Sequence, residues 1–234
     1  MSGRLARLIL AVGAVLVLVL AAYLLLHQPQ PEDSQPGGNA GATAGNRAAR
    51  GVAFIGDSYT GGSPVGGLGS AGWPALLSAE HHWVALPSAV SGSGYTVGGP
   101  EGRPFVQRIP AVVAARPEIV LIWAARGDTD PLAVGPAAET VFRDLLIGLP
   151  DARVVVIGPA WIGGAAPRRQ LALRDAEQAA ARAAGLPFID PLAEGWFSED
   201  DTSLIGSDGV SPTDAGHRYL AGLIDRDLKR LGVT

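Results

Sequence analysis

Val52-Ala53-Phe54-Ile55-Gly56-Asp57-Ser58-Tyr59-Thr60 is the stretch that decides how the chain is read. Its first four residues are apolar and partly β-branched, the pattern of a buried strand, and Gly56 ends the run. A serine follows, flanked by Asp57 and Tyr59, with Gly61-Gly62 just beyond. A hydroxyl displayed at the carboxyl end of a buried strand, beside flexible backbone, is a common way to present a nucleophile. The same letters also suit a β-turn that uses Gly, Asp and Ser for their turn chemistry, so the rest of the chain must decide.

Working outward, strands alternate with helices. Trp83–Leu86, Glu118–Trp123, Arg153–Gly158 and Phe188–Pro191 read as further strands, Glu118–Trp123 being a continuous apolar run of the kind found in parallel sheets. Between them, Trp73–Glu80 reads as a helix with Pro74 in its first turn, and Phe105–Ala115 as a helix interrupted by Pro110. Pro136–Leu149 and the Ala- and Arg-rich Pro167–Ala184 supply two more. This alternation predicts a three-layer α/β/α sandwich around a mainly parallel sheet. Sites in such sheets form beyond the carboxyl ends of the strands, where Ser58, Gly92 and Gly127 would all lie.

The amino-terminal quarter has a different character. Leu8–Leu26 is a run of about nineteen apolar residues, enough to cross the hydrocarbon of a bilayer as a helix. Arg4 and Arg7 precede it, which places that end in the cytoplasm and sends the body across. A cleaved signal peptide is the rival reading. The length of the run and its Tyr23-Leu-Leu-Leu26 end, which offers no small-residue cleavage site, favour an uncleaved anchor. The expected organisation is therefore a cytoplasmic stub and membrane anchor over 1–27, a disordered Gln-, Pro- and Gly-rich tether over 28–50, and a globular domain over 51–234.

Composition excludes several classes. With no cysteine among 234 residues there is neither a disulfide nor a thiolate metal site. The formal charge of −4 comes without a basic cluster, so nucleic acid is not an expected partner. The glycine-rich loop Gly61–Gly72 lacks the Gly-Lys-Ser/Thr of a phosphate cradle and the spacing of a dinucleotide fingerprint, and no cofactor is implied. Glu199-Asp200-Asp201 lacks the alternating spacing of a calcium loop and reads as solvated, so no metal is expected.

The other end of the domain carries Asp208-Gly-Val-Ser-Pro-Thr-Asp-Ala-Gly-His217. Together with Gly56-Asp57-Ser58-Tyr59, this block resembles the SGNH (GDSL-type) hydrolases over roughly Val52 to Leu231. The resemblance implies a flavodoxin-like three-layer fold with Ser58 as nucleophile and Asp208 as the acid of the triad. It also implies an oxyanion hole formed by Ser58, Gly92 of the Ser91-Gly92 turn, and the residue at the family's asparagine position. Two of the family's positions are altered: the asparagine is Gly127 and the histidine base is Ser211. Ser211-Pro212-Thr213-Asp214 reads as a helix start with a serine cap, proline at the first position and an acid at the third. His217 is the candidate for a displaced base, although it stands six residues beyond the family position, about 9 Å along a helix.

The function implied is a membrane-anchored, extracytoplasmic serine ester hydrolase acting on acyl esters of lipid or carbohydrate. Transfer to a sugar hydroxyl in place of water would make it an acyltransferase. The alternative is a catalytically impaired protein of the same fold that binds acylated envelope glycans or a protein partner. A purely structural envelope protein is the third reading.

Overall fold

The computed structural model describes residues 49–197 and 203–234. The expected membrane anchor, nearly all of the tether and the Glu199-Asp200-Asp201 triplet lie outside these residues. No helix among the described residues is long and apolar enough to cross a membrane.

In chain order the elements are β1 (Gly51–Gly56), α1 (Ser58–Gly61), α2 (Trp73–His81), β2 (Val84–Ala89), α3 (Phe105–Ala115), β3 (Ile119–Trp123), α4 (Pro131–Gly148), β4 (Arg153–Ile157), α5 (Arg168–Ala183), β5 (Phe188–Ile189) and α6 (Asp214–Arg230). The five strands are all parallel, in the order β2-β1-β3-β4-β5. Val52 stands opposite Ile119, and Ile119 opposite Arg153, so the apolar runs of β1, β3 and β4 lie side by side.

Side chains on a strand alternate between the two faces, and the two cores follow that period. Phe54, Leu121, Trp123 and Ile157 point to one face, where they meet Trp73 and Leu77 of α2 and Leu220, Ile224 and Leu228 of α6. Ala53, Ile55, Ile122 and Val156 point to the other, against Phe105 and Ile109 of α3, Val141 and Phe142 of α4 and Leu173 of α5. Each aliphatic or aromatic side chain withdrawn from water in this way contributes about 1.5–3 kcal/mol. The first core contains a run of large rings. Phe54 meets Trp73 edge-on at 5.4 Å, Trp73 lies 6.0 Å from Trp123, and Trp123 meets Tyr59 edge-on at 5.5 Å. Both chain ends of the domain lie at the amino edge of the sheet, where the Arg50 guanidinium donates to the Val233 carbonyl at 3.1 Å.

Element boundaries depart from the sequence reading at several points. α4 begins at Pro131 rather than Pro136, because the Asp130 side chain caps it by accepting from Leu132 N at 3.0 Å. Pro136 sits inside the helix, and the carbonyl it leaves without a partner belongs to Leu132, which is 88% exposed and open to water. α3 runs unbroken through Pro110, again on an exposed face. α6 is capped by Thr213, whose hydroxyl accepts from Gly216 N at 3.1 Å, and not by Ser211. Pro212 instead bridges to Ile205 ahead of the helix. β2 carries Pro87, which is tolerated because β2 is an edge strand.

Candidate active site

Gly56 closes β1, and the chain turns at once into α1. A Cβ on Gly56 would run into the Thr60 side chain and crowd the Trp123 carbonyl, so this tight turn requires glycine. Asp57 caps α1, its Oδ1 accepting from Tyr59 N at 2.9 Å, while Oδ2 accepts from Arg126 N at 3.0 Å. One buried carboxylate thus ties the exit of β1 to the exit of β3. Burial pushes the Asp57 carboxyl up to about 6, against the pull of those two N–H donors. Ser58 is the first helical residue and is half-buried. Among the described residues its hydroxyl has no hydrogen-bond partner.

The Gly56 carbonyl is held from a second direction. It accepts from Val90 N at 3.0 Å, from Ser93 Oγ at 3.3 Å and from Arg108 Nη1 at 3.3 Å. Arg108, buried in α3, also donates to the Ser88 carbonyl, and its Nη2 reaches Ser93 Oγ at 2.9 Å. Burial pushes this guanidinium down to about 10. The arginine therefore clamps the ends of β1 and β2 to the 90–93 turn through oxygen atoms alone, with no carboxylate taking part. Beneath the same edge Glu177 of α5 is buried, and its carboxyl is pushed well above the ordinary range by desolvation and then by Asp128 and Asp57.

The candidate oxyanion residues gather around this turn. Gly92 is exposed, with a left-handed φ of 68°. Gly127 packs against the same turn: a Cβ there would run into the Ser93 carbonyl oxygen and lie 3.3 Å from that of Gly92. Asp128 fixes the next residues, accepting from Tyr95 N and Thr96 N at 2.8 Å each. Ser58, Gly92 and Gly127 thus lie at one edge, joined through Gly56, Asp57, Ser93 and Arg126.

The last block reaches the site through Tyr59. The buried phenol donates to the Val210 carbonyl at 2.6 Å, so Ser58 and Ser211 each stand one residue from the two ends of that bond. Asp208 is exposed, and its Oδ1 accepts from Val210 N at 3.0 Å and Ser211 N at 2.9 Å. These N–H groups, together with the Ser211 hydroxyl, hold the carboxyl below its usual range.

His217 is placed elsewhere. Its ring is fully buried in the first turns of α6, with Nδ1 3.4 Å from Trp73 N and Nε2 without a partner. Gly67 covers it so closely that a Cβ on that glycine would fall on the ring. Neither nitrogen meets Ser58, so the displaced-base expectation is not matched by a contact. Of the other described histidines, His81 bonds to Asp225 at 2.7 Å and stacks on Trp83, and with His82 it lies at the amino edge of the sheet.

Desolvation lowers the His217 ring from 6.5 to about 4. The unfolded chain therefore takes up this proton first. The stability involved is complete above pH 6.5 and drains away as the pH falls toward 4, with a limit of about 3 kcal/mol. Asp57 acts in the opposite sense, since a carboxyl raised from 3.8 to about 6 takes up its proton in the folded state first. Thermal midpoints at pH 7.5 and pH 4 should accordingly differ less in His217→Gln than in the wild type. Equal differences would mean that the ring titrates in water.

The crevice has further walls. The Arg126 guanidinium stacks over Trp161 at 5.4 Å from the ring centre and stands beside the Tyr59 phenol. Next to α1 lies a mostly apolar cavity of about 250 Å³, lined by Thr60, Gly61, Gly67, Pro74, Pro87 and Ala89.

The chain is similar to known proteins. A GDSL lipase of Mycobacterium tuberculosis is 39% identical over 183 residues, covering 74% of this chain and 79% of that protein. Among solved structures, the family two carbohydrate esterase of Clostridium thermocellum superposes with a TM-score of 0.65 at 19% identity, over 79% of this chain and 65% of that one. The aryl esterase of M. smegmatis does so with a TM-score of 0.59 at 18% identity, over 78% of this chain and all of that one. These two likenesses concern the fold. Residues 54–219 match the GDSL-like lipase/acylhydrolase family across both blocks of the crevice, and the chain belongs to that family of SGNH/GDSL-type hydrolases.

Proposed function

We propose that the chain is a serine ester hydrolase held at a membrane by its first residues, with the domain outside the cytoplasm. The single observation that carries the catalytic part is the Tyr59–Val210 hydrogen bond, which brings the segment bearing Ser58 to the segment bearing Asp208. The Ser58 oxygen attacks the carbonyl carbon of an acyl ester and bonds to it. The alcohol leaves with the proton that the serine gives up. Water then attacks the acyl-serine, releasing the carboxylic acid and returning the proton to Ser58. Backbone N–H groups at Ser58, Gly92 and Gly127 face the oxygen that becomes negative in both steps. Asp208 stands at the position of the family's acid and Ser211 at that of its imidazole, and His217 is a buried packing residue. The apolar cavity beside α1 suits a short acyl chain. The lipase, carbohydrate esterase and aryl esterase to which the chain is similar support an acyl-ester substrate. The apolar run after Arg4 and Arg7 supports the outward disposition.

The test uses the full-length chain, a fluorophosphonate probe and short-chain esters. Ser58 is expected to take the label. Ser58→Ala should abolish labelling and bring hydrolysis down to the buffer background. Hydrolysis that survives unchanged in Ser58→Ala would remove the assignment.

A second reading, a protein that binds acyl esters without turning them over, is favoured by one observation: among the described residues no imidazole stands at Ser58. Saturable binding of an ester by a wild-type chain that takes no label would select it.

A further inference from the structure

We propose that Arg126 sets substrate choice, its guanidinium receiving an anionic group, carboxylate or phosphate, carried by the ester that binds beside Ser58. This deepens the reading of the crevice as an ester site and rests on it. Some arginines among the described residues are neutralised by acids: Arg174 is paired with Asp190, and Arg226 and Arg230 with Glu194. Arg108 directs its two Nη groups to backbone and hydroxyl oxygens. Arg126 makes no ion pair among the described residues. Its side chain has the face of Trp161 on one side and the Tyr59 hydroxyl on another.

The carboxylates of the crevice are already engaged, Asp128 by Tyr95 and Thr96. Asp57 takes the backbone N–H groups of Tyr59 and Arg126, and Asp208 takes those of Val210 and Ser211. A guanidinium carries five N–H donors in a planar fork, and that of Arg126, half-buried with its Cζ 5.4 Å over the Trp161 ring centre, has the Tyr59 hydroxyl as its neighbour and donors to spare. Such a fork fits a carboxylate or phosphate through two parallel hydrogen bonds, which a neutral ester oxygen cannot match. Tyr59 follows β1, Arg126 follows β3, Trp161 follows β4 and Val210 precedes α6, so the fork stands at the carboxyl edge of the sheet with Ser58. The bond to Asp57 comes from the Arg126 main chain, so that tie between the exits of β1 and β3 survives a change of side chain.

Binding to the full-length Ser58→Ala chain isolates this role from turnover. Monoethyl succinate and diethyl succinate differ by one negative charge, and inorganic phosphate serves as a second anion. Calorimetry should show the monoester binding about tenfold tighter than the diester, a preference of the size expected from charge-assisted hydrogen bonds. Adding Arg126→Gln should erase that preference, while Arg126→Lys should keep part of it, which also guards against a variant that fails to fold. Phosphate binding tighter than the monoester would identify a phosphate-bearing substrate, and weaker binding a carboxylate-bearing one. Equal affinity for the two succinates, or a preference that survives Arg126→Gln, would overturn the proposal. Fluorophosphonate labelling of the wild type is read separately. An unlabelled chain that still prefers the anion would sink the catalytic reading and leave this one standing.

Discussion

Ser211→His is expected to accelerate ester hydrolysis by about 10²–10⁴-fold, the range that a positioned general base supplies. The site is built to receive the ring. Ser211 is fixed by its own N–H on Asp208 at 2.9 Å and by its carbonyl, which accepts from Gly206 N at 2.8 Å. Its hydroxyl already faces the Asp208 carboxylate, the group that would accept from an imidazole Nδ1–H and orient Nε2. The adjacent Val210 is tied to the residue after Ser58 by the 2.6 Å bond from Tyr59. The rate of the variant should rise with pH through a single ionisation near that of an ordinary imidazole, and Ser58→Ala in the same background should abolish the gain. A variant that folds, binds ester and shows no acceleration would mean that position 211 does not address Ser58.

Gly127→Asn should do the reverse, although it restores a second letter of the family's pattern. Its Cβ would meet the Ser93 carbonyl oxygen, with the Ser93 carbonyl carbon 2.7 Å away. Both belong to main chain that Arg108 and the Gly56 carbonyl hold in place. Forcing a side chain into a closely packed spot of this kind costs about 1–3 kcal/mol. The expected result is a lower thermal midpoint and slower hydrolysis together, because the 90–93 turn that yields also carries Gly92. An unchanged midpoint with faster turnover would show that the turn can retreat and that the asparagine was lost without compensation. One departure from the family is thus expected to be reversible and the other to be built into the packing.

Sequence and structure agree best where the information is local. The Val52–Ile55 and Ile119–Trp123 runs are legible as buried parallel strands because their neighbours are as apolar as they are. The blocks that carry Ser58 and Asp208 stand out because short motifs mark them, and the Tyr59–Val210 bond joins those two segments. The start of α4 was missed because the cap at Asp130 lies six residues before the proline that looked like a helix start. Arg108 was invisible for a different reason. Its partners are the carbonyls of Gly56 and Ser88, and a backbone oxygen leaves no letter in a sequence. His217 reads as a spare base until Gly67, 150 positions earlier, is seen to cover it. Contacts of that span are set by topology, which the pattern of strands implies only in outline.

The meeting of Arg50 with Val233 makes the domain a nearly closed loop of chain. A short linker could join residue 234 to residue 49, and new termini could then be opened in an exposed turn without cutting a strand. The same geometry means that a fluorophore or purification handle fused at either terminus of the domain would leave from the pole opposite the crevice. Surface immobilisation through such a handle would present the crevice outward, toward the bulk solution.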